Sequence, residues 1–427
     1  MPKPQEKDEN IIIKVEAASI CGTDMRTFLK GNAKIDPPRI LGHECAGTII
    51  HAGSLAKEHG YHEGERVTVA PAIGCGQCPA CKKGHTNMCD HLTTIGFQYE
   101  GVFAPYVEIP EQAIIMENVI KLPDNISYDN ASLIEPAACA LNGQSYMHIE
   151  PGDHVVIYGS GIIGCIHAEL AFLKGAAKVM IVEPVEKRGK IAMEKVPGII
   201  WINPFTQNTV EEVMRETDNY GADVVITATS VPSVHTEAQI IAAKMGRISL
   251  FGGLPGEGKG YLDSNLIHYK ELQVCGVHAT TVHFMKEIMN LMEEGKLNLG
   301  KYVVLKKIKT EIKDFLNNRA EVDVLKNLRH SCLPQVLDFF EADGDVYTVM
   351  DFIPGNSFKD YLDPGTVFEE KSVIIWAKQI AATLGYLHSQ KPPIIHSDLK
   401  PGNIMLTPEG NICLIDFNIS ATLDGDT

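Results

Sequence analysis

No apolar run in the 427-residue sequence approaches the eighteen or more residues that a membrane-spanning helix needs, so a helical membrane span is not expected. Basic residues are also short. Lys and Arg number 38 against 54 Asp and Glu, for a formal net charge of −16. That balance argues against nucleic acid and against anionic membrane as partners, since both want a basic surface. There is no low-complexity tract and no internal repeat. Nothing at the N-terminus resembles a secretion signal. Eleven cysteines are present, nine of them before residue 300. With no secretion signal, the expectation is a reducing cytoplasm in which cysteine binds metal rather than forming disulfides. Length allows two or three domains, and 44% hydrophobic with 22% charged residues is the composition of a soluble globular protein.

The chain is organised around Cys75 to Cys89, which reads CGQCPACKKGHTNMC. Cys75, Cys78, Cys81 and Cys89 are spaced C-x2-C-x2-C-x7-C. Two-residue gaps let successive thiolates turn back onto one tetrahedral centre, which is how a closed structural zinc is held. Gly74, Gly76 and Gly84 free the backbone to bring its amides near the sulfurs. Four unrelated core cysteines are the plainer alternative, but these sit beside Lys and Gly rather than on an apolar stripe.

Ile11 to Ala18 is rich in branched residues and reads as a strand leading to Cys21-Gly22-Thr23-Asp24. After a turn at Pro37-Pro38 comes Leu41-Gly42-His43-Glu44. A thiolate, an imidazole and a carboxylate on separate short elements suit a catalytic zinc, which keeps a fourth position open. Spacing alone leaves this site level with ordinary structural roles for the same residues.

Asp153 to Tyr158 is a short apolar run ending in Gly159-Ser160-Gly161-Ile162-Ile163-Gly164. Cys165 to Lys174 has helical spacing and stops at Gly175, and Val179 to Val182 is a second strand closing on Glu183. Strand, glycine turn, helix, strand and acid is the dinucleotide-binding pattern, and Glu183 lies 19 residues beyond Gly164. Gly159, Gly161, Ile162, Ile163 and Gly164 would cradle the pyrophosphate. Glu183 favours a free ribose 2′-hydroxyl, hence NAD, while Lys187 and Arg188 beside it pull toward NADP. Ala222–Thr227, 246–253 and 272–277 read as further strands, and His283–Glu294 as a helix stopped by Gly295. The alternation implies a parallel, doubly wound sheet.

CGTD, GHE, the four-cysteine lobe and the glycine turn, in this order, resemble the zinc-dependent medium-chain dehydrogenases over about residues 1 to 302. The sorbitol, threonine and polyol-phosphate dehydrogenases are the branch most alike. The resemblance implies an α/β fold with a GroES-like β-rich catalytic domain over 1–145 and a Rossmann NAD domain over 146–302. Family members usually carry further N-terminal strands before the stretch resembling Met1-Pro2-Lys3-Pro4 and a strand and helix after Lys301-Tyr302; the expectation is that this chain departs from the pattern at both places. The resemblance places Cys21, His43 and Glu44 at a catalytic zinc, with Glu135 of Leu133-Ile134-Glu135-Pro136-Ala137 as fourth ligand, direct or through water. Thr23 would take the substrate proton, and Glu44 would share in catalysis by softening the acidity of the metal. Arg26 stands where the family often has a relay histidine, a departure compatible with an anionic substrate such as a sugar phosphate. The implied reaction is hydride transfer from a secondary alcohol to NAD, in a homodimer or homotetramer.

From Val303 onward the chain resembles a serine/threonine protein kinase, giving a partial α+β domain over 303–427. Val303-Val304-Leu305-Lys306 looks like the phosphate-binding lysine strand, with Glu321 as its helix partner. Val349-Met350-Asp351-Phe352 looks like the hinge. Ile395 to Asn403 matches the catalytic loop, with Asp398 as base, Lys400 near the phosphate and Asn403 on magnesium. Asp416-Phe417-Asn418 stands at the magnesium-binding D-F-G position. No Gly-rich loop precedes Val303, no activation segment follows Asp416, and Ser397 and Asn418 replace the usual arginine and glycine. Three readings follow: a zinc and NAD alcohol dehydrogenase with a kinase fragment, an ATP- and magnesium-binding kinase-class function for the C-terminal part, and a chimeric frame with both halves impaired.

Overall fold

The structure is a computed structural model that describes residues 3–254 and 260–300. Beyond these it describes 328, 330–333, 336–342, 345–350, 356–362, 366–390, 393–396, 399–407 and 410–415. The chain divides into two units, residues 1–303 and 304–427.

The first unit opens on β1 (Ile11–Ser19), whose three leading isoleucines are fully buried before the strand begins to alternate. α1 (Gly22–Lys30) connects it to β2 (Glu44–Ala52), which pairs antiparallel with β1. β3 (Arg66–Val69) follows, and β4 (Ala72–Ile73) pairs with β5 (Thr93–Thr94) at the base of the four-cysteine loop. β6 (Tyr106–Ile109) and β7 (Val119–Lys121) are the edges of an antiparallel sheet ordered β6-β1-β2-β3-β7. Ile11, Ile13, Ile49, Val67, Val107 and Ile109 form its apolar core.

α2 (Ile134–Ser145) leads from this β-rich part to the next and is buried around most of its circumference. Then come β8 (His154–Tyr158), α3 (Ile162–Leu173), β9 (Lys178–Val182), α4 (Glu186–Lys195), β10 (Ile200–Ile202), α5 (Thr209–Glu216), β11 (Ala222–Thr227), α6 (Pro232–Ile241), β12 (Ala242–Leu250), β13 (Gln273–Gly276) and α7 (Val282–Glu293). The six strands form a parallel sheet ordered β10-β9-β8-β11-β12-β13. Both faces are covered, which is why these strands read as continuous apolar runs rather than alternations. Val155 and Ile157 of β8 enter one core, and Val156 and Tyr158 enter the other. The order reverses beside β8, the switch point where doubly wound sheets bind ligands.

Several boundaries differ from the sequence reading. α3 begins at Ile162, three residues before the expected Cys165, because Gly161 already serves as its N-cap. β12 begins at Ala242 rather than Gly246, running straight on from α6, and a register shift against β11 absorbs the extra residues. It also ends at Leu250, leaving Gly252 and Gly253 beyond the strand. α7 runs one residue ahead of the expected span, and Gly295, at φ +70°, stops it.

In the second unit β14 (Val336–Ala342) pairs antiparallel with β15 (Asp345–Met350). β16 (Asn356–Ser357), β17 (Ile404–Leu406) and β18 (Ile412–Leu414) form a three-stranded sheet. α8 (Glu370–His388) packs there through Trp376 and Leu387, and Trp376 Nε1 donates to the Gly410 carbonyl at 2.9 Å. Among the described residues, no helix is long and apolar enough to cross a membrane.

Candidate metal centres and cofactor site

The fifteen-residue lobe brings the sulfurs of Cys75, Cys78, Cys81 and Cys89 within 4.8 Å of one another. All four are free thiols. Backbone amides point at the sulfurs: Cys78 N at Cys75 Sγ (3.3 Å), Cys81 N at Cys78 Sγ (3.5 Å), and Cys75 N and His91 N at Cys89 Sγ (3.2 Å each). The Cys81 and Asp90 amides hold the Cys78 thiol down to about 6. Burial pushes Cys81 up to about 12 and raises Cys89. Cys78 and Cys89 sulfurs are 3.8 Å apart. A tetrahedron with zinc–sulfur bonds of about 2.3 Å has edges of about 3.8 Å, so the donor set and spacing fit zinc.

The second centre is assembled from separate elements. Cys21 is the N-cap of α1, where its sulfur accepts from Thr23 N at 3.5 Å. Glu44 is the first residue of β2, opposite Ser19 at the end of β1, and His43 precedes it. The ligand atoms of Cys21, His43 and Glu44 lie within 4.8 Å of one another. Glu135 sits in the first turn of α2, buried, outside that tight group but close enough for its charge to act on both His43 and Glu44.

Each donor is gripped by a neighbour that the sequence did not single out. The Ser19 hydroxyl donates to Glu44 Oε2. Asp24 Oδ1 lies 3.2 Å from His43 Nδ1, which orients the ring. The Cys139 thiol, one helical turn along α2, donates to Glu135 Oε1 at 3.3 Å. Only this last pair follows a readable spacing, i to i+4.

The electrostatics of the side chains explain what the cluster is built to hold. Burial opposes a charge on His43, yet its contact with Asp24, backed by Cys21 and Glu135, holds its pKa up to about 11. Burial, then the charge of Glu135, pushes Glu44 up to about 7, and burial raises Glu135 as well. Two buried carboxyls beside a thiol and an imidazole are costly as bare charges, and a dication relieves them. Thr23 stands on the first turn of α1, its Oγ1 accepting from Arg26 Nη2 at 2.9 Å.

At the switch point the three motif glycines divide the work. Gly159 adopts φ +99° for the turn out of β8. A Cβ on Gly164 would fall 1.9 Å from the Gly159 carbonyl oxygen, so only glycine lets α3 approach the turn. A Cβ on Gly161 would meet nothing within 4 Å, which leaves open space at the N-terminus of α3, where a pyrophosphate fits. Ile162 is exposed at that terminus, and Ile163 is half-buried behind it. Glu183 is buried at the end of β9: Oε2 accepts from Ser160 N and Oγ at 3.0 Å each, and Oε1 from Val185 N at 3.0 Å. A carboxylate has about four acceptor sites, so one remains for a ribose hydroxyl. Arg188 is exposed on α4.

Of the kinase-like residues, Asn403 is buried at the end of a short 3-10 turn, where its carbonyl accepts from Ile415 N at 2.9 Å. Lys400 is exposed just before it. Lys306, Glu321, Asp398 and Asp416 lie outside the described residues, as do Asp351 and Phe352 of the expected hinge.

Residues 7–124 match the family model of the alcohol dehydrogenase GroES-like domain, residues 163–294 that of zinc-binding dehydrogenase, and residues 292–427 that of the protein kinase domain. An L-threonine 3-dehydrogenase from Pyrococcus furiosus is 35% identical over 313 residues, 72% of this chain and 86% of that protein. A zinc-binding dehydrogenase from Sinorhizobium meliloti, solved with NADP, superposes with a TM-score of 0.64 at 30% identity, covering 70% of this chain and 85% of that one. Galactitol-1-phosphate dehydrogenase from Escherichia coli superposes with a TM-score of 0.62 at 25% identity, covering 70% and 86%. With an antiparallel catalytic sheet, a doubly wound nucleotide sheet and both sets of metal donors, the chain belongs to the zinc-dependent alcohol dehydrogenase family, and its first unit is that of a nicotinamide-dependent oxidoreductase.

Proposed function

We propose that the chain oxidises a secondary alcohol of the polyol, polyol-phosphate or threonine-like class, passing the hydride to NAD. The observation that carries this is the convergence of Cys21, His43 and Glu44, with Glu135 close by, beside the hydroxyl of Thr23. Cys21, His43 and Glu44 would hold the zinc, with Glu135 on α2 as the further carboxylate close by. Bound there, zinc supplies Lewis acidity to the alcohol oxygen. Thr23 Oγ1 accepts the hydrogen bond of the alcohol and relays its proton outward, releasing its own to solvent, as the hydride passes from the carbinol carbon to the nicotinamide. Ser19, Asp24 and Cys139 keep the donors aimed inward. Glu183 accepts from the adenosine ribose and disfavours a 2′-phosphate, which supports NAD over NADP. The four-cysteine lobe would hold the second, structural zinc.

The test is zinc content per chain together with cofactor reduction on a panel of polyols, their phosphates and L-threonine. Close to two zincs with reduction of NAD supports the reading. One zinc without turnover means that the lobe folds while the catalytic centre does not assemble. No zinc and no cofactor binding sinks it.

The match of residues 292–427 to the kinase domain model supports a second reading for that part, binding of ATP with magnesium. Thermal stabilisation by ATP with magnesium, with no effect of magnesium alone, is the expected outcome. No shift at millimolar nucleotide sinks this second reading.

A further inference from the structure

We propose that the alcohol oxidised at this centre carries an anionic group, a carboxylate or a phosphate, close to its carbinol, and that Arg26 selects it. The proposal rests on the dehydrogenase reading of the same site.

The segment 25–35 reads MRTFLKGNAKI: it holds Arg26, Lys30 and Lys34 and no acid, in a chain whose net charge is −16. Among the described residues, none of the three cations is in an ion pair with a carboxylate. Elsewhere in the first unit cations such as Arg39, Lys121, Lys178 and Arg247 are paired. Of the three, Arg26 is tied to the candidate centre, through the Thr23 hydroxyl beside Cys21.

Arg26 is exposed, but its guanidinium is not free. Its Nη2 donates to Thr23 Oγ1 at 2.9 Å, and its Nη1 lies 3.6 Å from where a Cβ on Gly22 would stand. The guanidinium is thus folded back over the first turn of α1, beside the N-cap Cys21, whose sulfur accepts from Thr23 N at 3.5 Å. An alcohol bonded to the Thr23 hydroxyl places its neighbouring substituent within reach of the remaining guanidinium donors, which present a fork suited to two oxygens.

The charge balance asks for such a cation. A dication bound by one thiolate and two carboxylates would leave one net negative charge, and the Asp24 carboxylate beside His43 adds another, both of which repel an anionic substrate. Arg26 offsets part of it. For a neutral alcohol the guanidinium has no charge on the substrate to compensate.

The experiment uses the full chain loaded with zinc and NAD, and two substrate pairs: 3-hydroxybutyrate against 2-butanol, and erythritol 4-phosphate against erythritol. In one pair the charged member is expected to be preferred by about 10- to 100-fold in kcat/KM, the span of a charge-assisted hydrogen bond. Which pair shows it names the anion. Arg26→Gln is expected to collapse that ratio toward one, chiefly through KM, with Arg26→Lys in between. Arg26 is exposed, so folding is not at risk, and unchanged zinc content checks this. Equal or better use of the neutral members by the wild type overturns the proposal while leaving the dehydrogenase reading standing. An equal fall for charged and neutral members in Arg26→Gln also overturns it, because Arg26 would then act on Thr23 alone. No turnover of any alcohol sinks the dehydrogenase reading and this proposal with it.

Discussion

The two candidate zinc centres are built on opposite plans. One takes all four donors from fifteen residues, all of them sulfur, on a surface lobe. The other draws Cys21, His43, Glu44 and Glu135 from across more than a hundred residues, mixes sulfur, nitrogen and oxygen, and buries all but the half-exposed Cys21. A closed four-thiolate lobe stabilises by tying its own loop, whereas a mixed, buried centre depends on the surrounding sheet and helix and keeps room for a substrate.

Removing one donor from each centre should separate these roles most widely. Cys21→Ser is expected to lower kcat/KM by about 1000-fold or more while leaving the melting temperature within a few degrees, with one zinc retained per chain. Cys78→Ser is expected to lose the other zinc and lower Tm by roughly 5–10 °C, with any remaining folded enzyme still turning over. Zinc analysis, calorimetry and initial rates check both. If Cys78→Ser abolishes activity at temperatures where the protein is folded, the division of labour is wrong.

The next contrast is in pH. Glu44 is raised from the usual 4.5 to about 7 when the side chains are considered without metal. Below about 4.5 the carboxyl is protonated in both the folded and the unfolded chain. As pH rises, the unfolded chain releases its proton first, so the metal-free fold loses stability between about 4.5 and about 7, on the order of 3 kcal/mol. Zinc must displace the same proton. Its affinity at the buried centre should therefore rise by an extra factor of about ten per pH unit below about 7, and Glu44→Gln should remove that factor. Competition with a chromogenic chelator measures it. An unchanged slope in Glu44→Gln contradicts the shared charge between Glu44 and Glu135.

The difference between the centres also decides what a sequence can reveal. Four cysteines in one loop state their purpose locally, and so does the glycine turn, because strand, turn, helix and acid are contiguous. Glu135 is legible only through family resemblance, since nothing local brings it to Cys21. Ser19 and Glu44 are 25 residues apart and meet because β1 and β2 pair in the register Ser19 with Glu44. Asp24 reaches His43 from the first turn of α1, where the capping box with Cys21 fixes it. Such contacts belong to tertiary register, which no spacing rule carries. The early start of β12 was hidden for a related reason: it runs on from α6 without the turn residues that announce a strand.

Cys139 gives the finest test of the buried centre, because it acts through another residue. Its thiol, held protonated by burial and by the charge of Glu135, donates to Glu135 Oε1 at 3.3 Å. Cys139→Ala removes that donor and frees the Glu135 carboxylate to swing, at a cost of about 1 kcal/mol, or roughly fivefold in kcat/KM. Cys139→Ser restores a donor and should recover most of the loss. Cobalt substitution sharpens the comparison. Thiolate-to-cobalt charge transfer counts the sulfurs on the metal, and for the buried centre it should report Cys21 alone and stay unchanged in both variants. A fall in that band in Cys139→Ser would mean that the thiol is a ligand, and that the two centres differ less in their sulfur content than their present geometry implies.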